Sequence, residues 1–156
     1  MIGKGPPVRG LPGVVSTLRR ARWSLAIRER LGHPEQVDIR RKTFVAETTS
    51  RLGFLIQEHG FAGPEVTQQG DYPLLIRVSY HRSDLDVEES LILSYGGEEY
   101  VTADVVQSSA ASSAPTRIKV SAGTVHTGFQ MRQTLDRNTQ ALREFLSKQQ
   151  PGPRLT

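Results

Sequence analysis

Thr43 to Phe61 reads TFVAETTSRLGFLIQEHGF. Phe44, Thr48, Leu52, Leu55, Ile56 and His59 recur at spacings of three and four, which sets them on one face of a helix. Val45, Thr49 and Gly53 widen that face, while Glu47, Arg51, Gln57 and Glu58 take the solvent side. Gly60 stands just past the last periodic residue, where a left-handed cap costs a glycine nothing sterically. Phe61 follows as an apolar residue able to fold back on the last turn. A helix this apolar on one side needs a surface to cover, and the segment after it supplies strands. Leu52 and Ile56 are predicted to be buried against Ile76, Val78, Leu91 and Leu93.

Downstream, Glu65 to Gln69 reads as a polar strand after Gly63-Pro64, and Gly70-Asp71 as a turn. Leu74 to His81 alternates cleanly: Leu74, Ile76, Val78 and Tyr80 point one way, and Leu75, Arg77, Ser79 and His81 the other. Arg82-Ser83-Asp84 reads as a turn. Leu85 to Tyr95 puts Leu85, Val87, Leu91, Leu93 and Tyr95 on one face, with Glu89 as the exception. Gly96-Gly97 is a two-residue hairpin signal, because such turns need positive φ. Glu98 to Val106 returns with Val101, Ala103 and Val105 inward. The run QSSAASSAP at 107–115 has nothing to bury, and Arg117 to Val120 reads as a further strand. A second helix runs from about Gly128 to Gln149. Thr127 and Gln130 have capping-box spacing, and Met131, Leu135, Leu142, Phe145 and Leu146 form a stripe interrupted by the polar turn Asp136 to Gln140. The predicted fold class is α+β, an antiparallel meander packed on one face by the central and C-terminal helices.

Upstream, residues 1–42 form a basic arm. They hold ten Lys and Arg against Glu29, Glu35 and Asp38, a net +7, and the remainder of the chain is −3. Residues 1–13 carry Pro6, Pro7, Pro12 and four glycines and read as disordered. Val14 to Leu31 has a helical pattern in which Arg19, Arg20, Arg22, Arg28 and Arg30 surround Trp23. Gln36 to Lys42 is either a leader strand or the first turns of the central helix. The expected organisation is an arm over 1–42, one domain over 43–149 and a disordered tail over 150–156.

Composition narrows the chemistry. The 156 residues suffice for one domain with a core, and apolar residues make up 37%, below the usual share, as expected of a chain with tails. No Cys is present, which excludes disulfides, thiolate metal sites and a Cys nucleophile. No apolar run approaches the ~18 residues of a membrane span. The N-terminus lacks the apolar core of a secretory signal, so a cytoplasmic location is expected. The four His, at 33, 59, 81 and 126, include no pair at metal-ligand spacing, and nucleophile-elbow, P-loop and zincin motifs are absent. His59, His81 and Asp84 are the best candidates for an enzyme, yet their spacing makes no set. No cofactor is expected.

Two charged features remain. Asp84, Asp86 and Glu88 alternate on a strand and so share a face, at roughly 7 Å steps. Such a row is a solvated sheet face, a docking stripe for a protein partner, or a site for a hard cation. The arginine-rich helix offers the other feature. Arg19, Arg20, Arg22, Arg28 and Arg30 suit a phosphate backbone, an acidic lipid surface or a protein partner, and Trp23 can stack on a base. Its bland reading is an extension upstream of the domain.

The order of Phe44, Glu47, Leu52, Phe54, Leu55, Glu58, Gly60 and Phe61, followed by Val78, Tyr80, Arg82, Ser83, Asp84, Leu85 and Val87, resembles a loose class of small uncharacterised bacterial α+β proteins. The resemblance covers about residues 43–106. Some members of that class are regarded as immunity proteins of contact-dependent or polymorphic toxins, which implies a protein partner and brings no catalytic residues. The sequence therefore predicts a non-enzymatic, protein-binding α+β domain, with nucleic-acid binding through the arm as the alternative.

Overall fold

The computed structural model of the chain describes residues 34–70, 73–94 and 97–149. The expectations for the arm over 1–33, for Arg19, Arg20, Arg22, Trp23, Arg28 and Arg30, for Asp71 and Tyr95, and for the tail over 150–156 lie outside those residues. The order is α1 (Pro34–His59), β1 (Ala62–Gln69), β2 (Leu74–His81), β3 (Leu85–Leu93), β4 (Glu99–Gln107), β5 (Thr116–Val125) and α2 (Gly128–Gln149). The strands form one antiparallel sheet in the order β1-β2-β3-β4-β5. Short connections make each strand pair with its sequence neighbour, which is the simplest way to satisfy the backbone. The α+β meander expected from the sequence is thus the observed fold.

Both helices cover the same sheet face. Core residues of β2, β3 and β4 alternate as the sequence requires: Leu74, Ile76, Val78 and Tyr80, then Leu85, Val87, Leu91 and Leu93, then Val101, Ala103 and Val105 are all buried. Phe44, Leu52 and Leu55 of α1 and Met131, Leu135, Leu142 and Leu146 of α2 complete this core.

An odd number of strands between the helices returns α2 parallel to α1. Three ion pairs record the alignment: Glu47 with Arg132 at 3.7 Å, Arg51 with Asp136 at 2.7 Å and Glu58 with Arg143 at 3.2 Å. Each joins residues 85 apart in the chain, so the helices run side by side in constant register. The Arg143 guanidinium also lies over the Phe54 ring, 3.8 Å from its centroid.

This second neighbour corrects the reading of α1. Its buried arc turns toward α2, so Phe54 is buried, while Ile56 is 43% exposed and is not part of the core. The helix also starts earlier than Thr43. Pro34 opens it, Val37 packs against the core, and Arg40 forms an ion pair with Glu99 at the start of β4. Gln36 to Lys42 are therefore turns of α1, and a boundary drawn at residue 43 cuts through the helix.

The ends of the elements are fixed locally. Gly60 has φ +71°, and the Phe61 amide donates to the Leu55 carbonyl at 3.1 Å, closing α1. At the start of α2 the Gln130 amide donates to Thr127 Oγ1 at 3.1 Å, and Gln130 Oε1 accepts from the His126 amide at 2.8 Å. The capping box seen in the sequence thus forms, with its return bond one residue upstream of the cap. β5 is longer than the sequence indicated, and Arg137 of α2 donates to the Ala122 carbonyl on it at 3.2 Å.

Candidate functional site

The helices leave the second face of the sheet uncovered by any described element. Antiparallel register fixes what stands beside what on it, because residues directly opposite point to the same side. One end carries the row Gln69, Leu75, Ile92, Tyr100, Thr124. The next row is Thr67, Arg77, Ser90, Thr102, Ala122, followed by Glu65, Ser79, Glu88, Asp104, Lys119. His81, Asp86, Val106 and Arg117 form the far row.

The charges on this face are woven together. Glu88 accepts from Arg117 at 2.7 Å and lies 3.2 Å from Arg77. Arg117 also reaches Asp104 at 3.6 Å, and Thr102 Oγ1 donates to Asp104 at 3.3 Å. His81 stands between Glu65, at 3.2 Å, and Asp86, at 3.1 Å. The Glu88 carboxylate holds the Arg117 guanidinium above its ordinary value, against a smaller effect of burial. The small residues Ser79, Ser90 and Thr102 of this face are buried, and Arg77 Nε donates to Ser90 Oγ at 3.5 Å across the strands.

The acidic row expected from the sequence is divided by this arrangement. Asp86 and Glu88 lie on the strand and on the open face. Asp84 lies in the turn before β3, where Arg82 grips it with two bonds of 2.5 and 2.8 Å. That hydrogen-bonded pairing lowers the Asp84 carboxyl below the ordinary range. The same guanidinium donates to the His59 carbonyl at 3.1 Å and lies 4.7 Å from the Phe61 ring centroid. Arg82 thereby ties the β2–β3 turn to the end of α1. The Asp84 carboxylate thus faces a guanidinium inside the domain.

His59 and His81 are not brought together with Asp84 as a catalytic set. His59 meets the Phe54 ring edge-on at 5.7 Å, and His81 belongs to the open face. Among the described residues, no three His, Asp or Glu converge to hold a metal ion. The sequence reading missed Asp104, Arg77 and Arg117 as members of the charged lattice. It also missed the apolar row of Leu75, Ile92 and Tyr100, which is half-buried on the open side of the strands. Each belongs to the outward set of its own strand, yet only register shows that these residues abut.

A second feature is a cleft of about 310 Å³ between the start of α1, β4 and the start of α2. Ile39, Thr43, His126 and Met131 line it together with the paired Arg40 and Glu99. Among the described residues no helix is long and apolar enough to cross a membrane. No protein-family model, curated protein or solved structure matches this chain.

Proposed function

We propose that the domain is a non-enzymatic protein-binding module that docks its partner on the open face of the sheet. The observation that carries this is the juxtaposition of Leu75, Ile92 and Tyr100 in one row beside the lattice of Arg77, Glu88, Asp104 and Arg117. An apolar strip with an aromatic member, flanked by ordered charges, has the make-up of an interface core and rim. The charges are already paired within the domain, so the face does not act as a bare acidic stripe. It presents fixed donors and acceptors that select a partner by position, and the apolar strip supplies the area whose burial drives association. Asp86 and Glu88 are acidic members of that surface together with Glu65 and Asp104, and Asp84 stands at its margin. An immunity-type role, with a toxin domain as the partner, is the particular form that the sequence resemblance implies.

Affinity capture with two variants tests this. One combines Tyr100→Ala with Asp86→Lys on the open face, and the other changes Arg19, Arg20, Arg22, Arg28 and Arg30 to Ala. Asp86→Lys alters a partly exposed charge worth about 0–1 kcal/mol, and melting curves of both variants separate a loss of capture from a loss of folding. The face variant is expected to lose a partner that the arginine variant keeps. The reverse pattern, with retained binding by the face variant and loss of nucleic acid or protein by the arginine variant, would move the function to the arm.

A further inference from the structure

Two irregularities of the sequence meet inside the core. Glu89 breaks the apolar face of β3, and Asn138 breaks the apolar stripe of α2; they are 1% and 0% exposed. Asn138 Nδ2 donates to Glu89 Oε1 at 2.6 Å. The remaining oxygens of the same two groups, Glu89 Oε2 and Asn138 Oδ1, are buried and have no hydrogen-bond partner. Both are acceptors when Glu89 is ionised, and two acceptors cannot satisfy each other. A single proton on Oε2 would make that oxygen a donor, the kind of partner that Asn138 Oδ1 lacks.

Among the described residues, no cation is paired with Glu89. The cross-strand neighbours are Val78 on β2 and Ala103 on β4. On α2, Asp136 and Arg137 flank Asn138 but are engaged with Arg51 and the Ala122 carbonyl. On α1, Glu47 and Arg51 pair with each other at the helix interface, and the fully buried Thr48 offers only a hydroxyl. Asp104, on β4, adds a second negative charge. An isolated buried carboxylate is among the most expensive groups a fold can hold, whereas a buried carboxylic acid bonded to an amide is not.

We infer that Glu89 sits in the core as a neutral carboxylic acid, paired with the Asn138 carboxamide by two hydrogen bonds, and that its ionisation loosens α2 from the sheet. The pair is a polar contact between α2 and β3, in the middle of the sheet, so its loss acts on the docking of that helix. Burial, reinforced by Asp104 and opposed by the Asn138 bond, pushes the Glu89 carboxyl from 4.5 up to about 8. The sign follows from proton counting. Between those two values the folded chain keeps a proton that the unfolded chain has released, so raising pH disfavours the fold. The folding constant falls by at most about tenfold per pH unit across that window.

The direct test is the carboxyl ¹³C shift of Glu89, followed by pH titration of the full chain. A midpoint near 8 is expected. A midpoint in the ordinary carboxylate range, in a chain that stays folded, would overturn the inference, and this reading needs no variant. Amide exchange supplies the helix-specific readout. Glu89→Gln replaces the acid with a permanently neutral amide able to pair with Asn138. At pH 9 the α2 amides from Leu135 to Leu142 should exchange about tenfold or more faster in the parent than in Glu89→Gln, with no such difference at pH 5. Equal rates at both pH values would show that the pair does not hold α2.

Discussion

Gly123 of β5 lies directly beneath Thr134 of α2: a Cβ placed on it falls 2.9 Å from Thr134 Cγ2. The same Cβ collides with Arg137 Nη2, whose guanidinium donates to the neighbouring Ala122 carbonyl. The missing side chain is what lets the C-terminal helix settle on the edge of the sheet. Gly123→Val should therefore cost about 1–3 kcal/mol, the usual penalty for overpacking. Gly123→Ala should cost less, and adding Thr134→Ala should recover part of the loss. Urea unfolding of the three variants checks the order, and a stable Gly123→Val would show that α2 packs elsewhere.

The corrected arc of α1 gives a paired prediction. Leu52 is 1% exposed, so Leu52→Ala should cost about 2–5 kcal/mol. Ile56 faces solvent, so Ile56→Ala should stay within about 0.5 kcal/mol of the parent. Equal losses in thermal melts would restore the symmetrical helix face read from the sequence.

The start of the domain is testable by truncation. A fragment spanning residues 34–149 keeps Val37 against the core and Arg40 beside Glu99. A fragment starting at residue 43 loses both contacts and more than two turns of α1. The longer fragment should unfold cooperatively with a midpoint near that of the full chain, and the shorter one at a lower urea concentration. Coincident midpoints would return the boundary to residue 43.

Much of the fold was legible because local signals agree with the global arrangement. β2 alternates at period two without a break, and its bounds follow from Leu74 and His81 alone. The Thr127–Gln130 spacing marks the start of α2 for the same reason: capping is a local hydrogen-bond problem. Pairwise facts across the chain were not legible. Ile56 looks like a core residue until α2 is known to lie on the other side of α1. Glu89 and the polar turn of α2 look like two separate defects until the fold brings them together. The row of Asp84, Asp86 and Glu88 looks like free acid until Arg82, His81, Arg77 and Arg117 arrive from neighbouring strands and turns. Complementarity at sites distant in sequence leaves no periodic trace in either partner.

Asp84 gives a pH prediction opposite in sign to that for Glu89. Its hydrogen-bonded pairing with Arg82 lowers the folded carboxyl value below that of the unfolded chain. The contribution is therefore complete above the unfolded value, about 3.9, and is lost as pH falls through the folded value. Asp84→Asn should remove part of the parent's loss of stability on acidification and leave the slope between pH 6 and 8 unchanged. Melting curves at pH 2.5, 4 and 7 decide it; an unchanged acid limb would show that the Arg82 clamp contributes nothing.

The open sheet face is the centre of the functional account, and site-specific photocross-linking addresses it most directly. A benzophenone side chain replaces Tyr100, which stands in the apolar row, or in a separate protein Phe129, which is 63% exposed at the start of α2. Both proteins are irradiated in native extract and compared by mass. The account predicts a discrete adduct with one partner protein from position 100 and none from position 129. An adduct from position 129 with none from position 100 would contradict it and place the partner on the helical side of the domain.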